Sequence, residues 1–298
     1  MATLYEVLIA DEDPSFAEQA AQAMFEELDR LEQELSRYLP NSDIARVNNL
    51  CPHQETRVGI DAFECLRLSK QYWASTFGAF DATVGSLMDC LVGKARTQLD
   101  PSPDELEWAR RACGMNLIEL DEATLTVRVL EPVPRIDLGA VGKGYAVDRA
   151  VDLLKEWGVG SALLHGGRSS VYAYGLVQGE PGWPVTMSDP DDPEALLERI
   201  VLCDRALSGS GGQRGRHIVD PRTGRVAVSC KAAWVCSLSA AESDALSTAC
   251  MVMDLEEIRR YQAYHADTWV MVLPEGGENA LSRVLKVGAL PVCRTPSA

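Results

Sequence analysis

One stretch constrains the fold of this chain more than any other: Arg135 to Trp157, RIDLGAVGKGYAVDRAVDLLKEW. Ile136 and Leu138 flank Asp137 in a short strand-like run. Gly139, Gly142 and Gly144 follow, and glycine admits the main chain to conformations that a Cβ forbids. Val147, Ala150, Val151 and Leu154 then recur at i, i+3, i+4 and i+7, the period of one apolar helical face. Gly158 is placed to end that helix. The pattern predicts strand, glycine bend and helix, with an acid at the strand end and bare amides at a helix N-terminus. Such an arrangement can cradle a phosphate or a metal–phosphate pair. It can equally be a tight connection carrying a surface Asp, and spacing alone does not choose. The glycines run G-x-x-G-x-G, the reverse of the dinucleotide fingerprint. Lys143 is followed by Gly144 and not by Ser or Thr, which excludes a Walker loop.

Composition narrows the ligand. With 298 residues and 46% hydrophobic content, the chain can build a substantial core as one large domain or two lobes. The formal net charge of -16 sets a field that opposes nucleic acid and anionic membrane surfaces. A phosphorylated ligand therefore needs local amides or a metal ion to offset the repulsion. The 9 cysteines are odd in number and form no C-x-x-C pair. They read as small core residues in a reducing compartment, not as a disulfide frame or a zinc site. The opening MATLYEVLI lacks a basic n-region, and no apolar run approaches a membrane span. A cytoplasmic location is the expectation, with a trimmed exported protein as the alternative.

The rest of the chain alternates helices with hairpins. Residues 3–10 alternate as a strand. Ser15 and Glu18 fit a capping box for a helix with the core stripe Phe16, Ala20, Met24, Leu28, Leu31 and Leu35. A turn and a short helix follow in RYLPNSDIARVNN. Asp61 is placed to cap a helix that turns Leu66, Trp73 and Phe77 inward. Ser102, Pro103 and Glu105 start another helix, which Gly114 stops. NLIEL and TLTVRVL predict a hairpin joined at Asp121–Ala123. Residues 161–175 read as strand, Gly-Gly turn and strand, with His165 and Arg168 at the turn. The proline-rich run 178–194 predicts an irregular excursion. KAAWVCSLS and TWVMVL are apolar strands.

Three further stretches carry chemistry-bearing side chains. In FGAFDATVGSLMD (77–89), Gly78 and Gly85 bracket Asp81 and Thr83. This is either a loop with an Asx-type turn or a surface where the backbone and Asp81 meet a ligand lying against Ala79 and Phe80. In LSGSGGQRGRHIVDPRTG (207–224), Ser208–Gly212 reads as a flexible small-residue loop. Arg214, Arg216 and His217 form a basic island in an acidic chain, and Asp220–Gly224 has the residue order of a tight turn. The island is either surface decoration or a place where His217 handles a proton and the arginines meet phosphate or adenine. In AAESDALSTACMVM (240–253), a predicted helix, Asp244 and Thr248 stand at i and i+4 on one face. A carboxylate beside a hydroxyl suits a hard cation such as Mg²⁺, or serves the helix dipole and the core edge.

Together and in this order, these segments resemble the ApbE family of FAD:protein FMN transferases over nearly the whole chain. RYLPNSDIARVN is similar to the family's Y-x-x-x-S-x-[IL]-x-x-[IL]-N segment, and FDATVGSLM to its F/M-D-x-T-V-G-P-L segment. IDLGAVGKGYAVD resembles D-L-[GS]-[GT]-[IV]-[AG]-[KE]-G-Y-A-x-D. HIVDPRTG matches H-I-[IV]-D-P-R-T-G, and SDALSTACMVM resembles A-D-A-L-[AD]-T-A. The opening Met1-Ala2-Thr3 resembles an M-G-T start.

The resemblance implies an α+β fold of two layered lobes, mixed or antiparallel sheet with helices (T-fold-like), with the flavin between them and residues 1–298 as one such domain. It implies Mg²⁺-dependent transfer of FMN from FAD to a Thr or Ser hydroxyl of an acceptor flavoprotein, with release of AMP. Two alternatives stay open: an FAD pyrophosphatase giving FMN and AMP, and a non-catalytic FAD-binding protein. By position, the resemblance implies Asp244, Thr248, Ser247 and the Ala140 carbonyl around Mg²⁺. Met1, Ala79, Phe80, Asp81, Asp137 and Lys143 fall at flavin-contacting positions. His217 is the candidate base and Ile218 touches the adenine side. Gly139 and Gly142 are then expected to leave the Ala140 carbonyl free for the ion. Two segments depart from the family pattern: Gly166-Gly167-Arg168 lacks an acid, and Ser208–Gln213 lacks an aromatic residue.

Overall fold

The computed structural model describes residues 3–92, 99–167, 169–177, 179–211, 218–228, 230–276 and 280–290. Met1, Arg168, Arg214, Arg216 and His217, singled out from the sequence, lie outside these residues.

Strand β1 (Tyr5–Ile9) leads into the long helix α1 (Pro14–Leu35), then α2 (Asp43–Asn48) and β2 (Glu55–Arg57). Helices α3 (Ile60–Ser75), α4 (Gly85–Leu91) and α5 (Pro103–Arg111) follow, with the hairpin β3 (Ile118–Asp121) and β4 (Thr126–Val129). Helix α6 (Gly142–Glu156) precedes β5 (Ala162–Gly166), β6 (Ser170–Tyr174), β7 (Trp183–Asp189), β8 (Asp192–Leu202) and β9 (Arg205–Gly211). The short pair β10 (Val219–Asp220) and β11 (Arg225–Val226) leads to β12 (Cys230–Ser237) and helices α7 (Ala240–Cys250) and α8 (Leu255–Tyr264). The described chain ends with β13 (Trp269–Pro274), α9 (Ala280–Arg283) and β14 (Leu285–Val287).

A 7-stranded sheet in the order β1-β5-β6-β9-β12-β13-β14 organises the molecule, and every neighbouring pair is antiparallel. Successive side chains point to opposite faces, so the strands sort their residues into two cores. Leu164, Tyr172, Ala206, Ala233, Val235 and Val270 join α1, α3, α6 and α7 on one face. Leu163, Val171, Leu207, Cys236, Trp269 and Met271 pack against the β7–β8 hairpin on the other. Helix α6 inserts Val147, Ala150, Val151 and Leu154 into the first core, the face its spacing predicts. Each such fully buried Val or Leu contributes roughly 1.5–3 kcal/mol relative to exposure. Gly158 takes φ 87 just past the end of α6, in the left-handed region that ends helices. The expected α+β class and antiparallel sheet are what the structure has.

Several local expectations change. Ser208–Gly211 is no loop: it belongs to β9, a central strand between β6 and β12. The run 178–194 is largely a β-hairpin, because Pro184 lies on a two-stranded ribbon where a missing amide costs little, while Trp183 and Met187 are buried. Asp13, not Ser15, caps α1, accepting from the amides of Ser15 at 3.0 Å and Phe16 at 3.1 Å. Asp61 lies inside α3, buried, where it accepts from Tyr145 Oη at 2.8 Å and Arg30 Nη2 at 2.6 Å. Phe77 faces outward beneath the Arg260 guanidinium, 3.5 Å from its ring centre, because its backbone has turned to φ 55. Residues 136–138 are extended but form no ladder; a single parallel bridge joins Arg135 to Val84.

Candidate active site

The bend before α6 and the first turns of α7 meet at Gly144. A Cβ there would stand 2.1 Å from the Ala240 carbonyl oxygen, so the helices approach backbone to backbone. One turn later on α6, Asp148 accepts from Ser239 Oγ at 2.7 Å and from the amides of Ala240 at 2.7 Å and Ala241 at 2.9 Å. These are N-terminal donors of α7 that the helix itself cannot satisfy. Burial pushes the Asp148 carboxyl up to about 6, against the pull of those three hydrogen bonds. The position of α7 relative to α6 is thus fixed by contact and by charge.

That fixed crossing places Asp244 over the start of α6. Its carboxylate is 2% exposed and accepts from Lys143 Nζ at 3.0 Å on each oxygen, from the Gly144 amide at 3.2 Å and from Ser170 Oγ at 3.3 Å. Lys143 also donates to the Gly139 carbonyl at 3.2 Å, so one ammonium ties the bend to α7. A turn further along α7, the Ser247 and Thr248 hydroxyls both meet Ser210 Oγ of β9, at 2.9 and 3.1 Å. The predicted i, i+4 pair Asp244 and Thr248 is therefore at the site, with Ser247 beside it. Ala140 lies in the turn just before α6, whose first hydrogen bond runs from Tyr145 N to the Val141 carbonyl at 2.9 Å.

The glycines of the bend serve a different purpose from the one their spacing suggests. Gly139, Gly142 and Gly144 are absent from the left-handed residues among those described. A Cβ on Gly139 would come to 3.0 Å of the Asp137 carboxylate, and one on Gly142 to 3.3 Å of Leu138 Cβ. Gly144 alone meets backbone atoms closer than any Cβ can stand. Close approach, not an unusual φ, is what the motif requires.

A second wall is built from the turn at 79–85. Asp137 donates its amide to the Ala82 carbonyl at 2.7 Å, and Gly85 donates to the Arg135 carbonyl at 3.0 Å. Asn48 clasps Ile136 in both directions, at 2.7 and 3.0 Å. The Asp137 carboxylate accepts from the Gly139 amide at 2.8 Å and pairs with Arg37 Nη1 at 3.0 Å. Asp81 accepts from the amide and hydroxyl of Thr83, at 2.7 and 2.6 Å. Burial raises its carboxyl to about 6, with the Thr83 bonds opposing. The side chains of Ala79 and Phe80 are in the core, Phe80 edge-on to Tyr72. Any ligand contact at these two residues is through the main chain. Ile218 is half-buried and its carbonyl accepts from Ala227 N at 2.8 Å. Arg222 holds the adjoining turn, reaching Asp220 Oδ1 at 2.9 Å, Glu257 Oε1 at 2.6 Å and the Val252 carbonyl at 3.0 Å.

The structure brings Lys143, Asp244, Ser247 and Thr248 into one cluster beside the bend that carries Asp137 and Ala140. Sequence reasoning missed Ser170, Ser210, Arg37 and the Gly144 amide as partners. The signal for Ser210 was the alternation Ser208, Gly209, Ser210, a strand period inside what reads as a loop. The donor set fits a hard divalent cation. It is all oxygen, it includes a buried carboxylate, and that carboxylate already holds a cationic ammonium in this structure. Among the described residues no group of three or more His, Cys, Asp or Glu is placed to hold a metal ion. Among them, too, no helix is long and apolar enough to cross a membrane.

Known proteins match this chain over most of its length. The model of the ApbE family matches residues 1–272. The chain is 27% identical over 296 residues to the FAD:protein FMN transferase of Salmonella typhimurium, covering 93% of this chain and 83% of that protein. It is 28% identical over 248 residues to the protein of the same name from Vibrio cholerae, covering 77% of this chain and 73% of that one. Among solved structures, the ApbE protein of Thermotoga maritima superposes with a TM-score of 0.84 at 24% identity, covering 96% of this chain and 94% of that chain. The apo flavinyl transferase ApbE of Pseudomonas stutzeri gives 0.81 at 25% identity, covering 95% and 90%.

Proposed function

This chain belongs to the ApbE family, and we propose from that premise that it transfers FMN from FAD to a hydroxyl of an acceptor flavoprotein, releasing AMP. The observation that carries the reading is the buried Asp244 carboxylate set among hydroxyls and an ammonium, where the glycine bend of α6 meets α7. A diphosphate docking on an acidic protein needs local positive charge and oxygen-only metal ligands; this cluster offers the oxygen ligands, and with a bound divalent cation the positive charge as well.

Asp244, Ser247, Thr248 and the Ala140 carbonyl would hold Mg²⁺. When bound, that ion neutralises charge on the FAD diphosphate. The chain's own residues do the rest. Lys143 adds a second cation at the same place. By the family resemblance, Asp137, Asp81, the main chain at Ala79 and Phe80, and Met1 are assigned to the flavin part, and Ile218 to the adenine part. His217 takes the proton from the acceptor Thr or Ser oxygen as that oxygen attacks the FMN phosphorus. The phosphoanhydride bond to AMP breaks and a phosphoester to the acceptor forms.

The test is to incubate the protein with FAD, Mg²⁺ and a candidate acceptor, reading acceptor mass and free AMP together. The expected result is a covalent FMN increment with one AMP per FMN attached. AMP release at the same rate without acceptor, and no increment with it, makes the enzyme an FAD pyrophosphatase. Bound FAD with no AMP formed over hours makes it a flavin-binding protein.

A further inference from the structure

Ser208 and Ser210 stand two residues apart on β9 and share its α7-facing side, while Gly209 faces Trp234 on the other. Both serines meet hydroxyls of α7. Ser208 Oγ is 2.7 Å from Ser243 Oγ, and Ser210 Oγ is 2.9 Å from Ser247 Oγ and 3.1 Å from Thr248 Oγ1. The settings differ. Ser208 and Ser243 are fully buried, whereas Ser210 and Thr248 are half-buried and lie on the Asp244 side of α7.

The protons can be assigned. Each hydroxyl carries one proton and two lone pairs. Ser247 and Thr248 donate theirs to the Asp244 main-chain carbonyl, at 2.9 and 3.3 Å. Ser210 is then the donor, its single proton shared between Ser247 and Thr248. What the three hydroxyls have left for a ligand is lone pairs, next to a carboxylate. An acceptor-only surface repels a phosphate oxygen and suits a hard cation. The spacing is compatible as well: neighbouring oxygens around an octahedral Mg²⁺ at about 2.1 Å stand about 3.0 Å apart.

We propose that Ser210 is a further member of the cation site: from β9 it fixes the proton positions of Ser247 and Thr248 and adds its own oxygen beside Asp244. This rests on the reading that a divalent cation binds at Asp244. The test is a titration of the full chain with Mn²⁺ in the presence of FAD and no acceptor, followed by electron paramagnetic resonance of the free ion. Ser210→Ala weakens Mn²⁺ about 10-fold, the usual scale for a ligand or the group that orients it. Ser210→Asp tightens Mn²⁺ beyond the wild type, a change of opposite sign to any loss of packing, so it carries the test even if Ser210→Ala folds poorly. Ser208→Ala removes a matching β9–α7 hydroxyl contact and keeps wild-type Mn²⁺ affinity. Wild-type affinity in Ser210→Ala, weakened binding in Ser210→Asp, or equal losses in Ser210→Ala and Ser208→Ala overturns the assignment of Ser210. Unchanged binding in Asp244→Ala overturns the cation reading itself, a separate result.

Discussion

Two glycine-rich stretches flank α7, and they are rigid for different reasons. The bend at 139–144 lets α6 touch α7, with Gly144 against the Ala240 carbonyl. The run Ser208–Gly211 is a strand inside the sheet, with Gly209 making room for Trp234, whose Cδ1 would be 2.8 Å from an added Cβ. In the sequence the first reads as a tight bend and the second as a flexible loop. In the structure both use missing side chains to bring other groups close: a helix in one case, an indole in the other. What surrounds a glycine, and not the glycine itself, decides whether it loosens a chain or locks it.

Substitutions can break this comparison. The largest effect is expected from Gly144→Ala. The added carbon meets backbone that cannot swing aside, so urea unfolding should show a loss of about 3 kcal/mol or more, with FAD binding lost as well. A loss under about 1 kcal/mol contradicts the backbone-to-backbone crossing.

Asp81 comes next, because its turn anchors the extended arm of the bend. Its carboxyl is raised to about 6 in the folded protein from 3.8. Stability from this group is full below the unfolded value and is lost as pH rises through about 6. Asp81→Asn lacks that dependence. Between pH 4.5 and 7.5 the wild type should lose about 2 kcal/mol relative to the variant, by denaturant titration at the two pH values. Parallel pH profiles argue against a buried, raised Asp81.

Gly209→Ala meets a half-buried indole that can shift, so a cost of about 1 kcal/mol is expected in the same assay. Gly139→Ala should be the smallest, within about 0.5 kcal/mol, since its backbone is not left-handed and it meets only the Asp137 carboxylate. A large loss at Gly139 restores the view that the bend needs an unusual φ.

Much of the helical framework was legible because periodicity reports burial directly. The stripe Ala20, Met24, Leu28, Leu31 and Leu35 and the face of α6 are both buried as their spacing requires. The capping box of Ser102 and Glu105 is present with both of its bonds. The pairing of Asp244 with Thr248 followed from i, i+4 geometry. β9 was illegible because Ser and Gly carry little strand propensity, and their presence there is set by α7 and Trp234, which are distant in sequence. Asp61 was misread because an acid near a helix start also serves a buried network, here with Tyr145 and Arg30. No local rule reveals that Lys143 meets a carboxylate a hundred positions later; only the α6–α7 crossing does.

In the proposed reaction Asp244 acts by holding positive charge at the diphosphate. The direct measurement is the intact mass of an acceptor flavoprotein after treatment with FAD, Mg²⁺ and either wild type or Asp244→Asn. An FMN increment with matching AMP is expected from the wild type, and at least about 100-fold slower labelling from a variant that remains folded. Labelling by folded Asp244→Asn at the wild-type rate contradicts it.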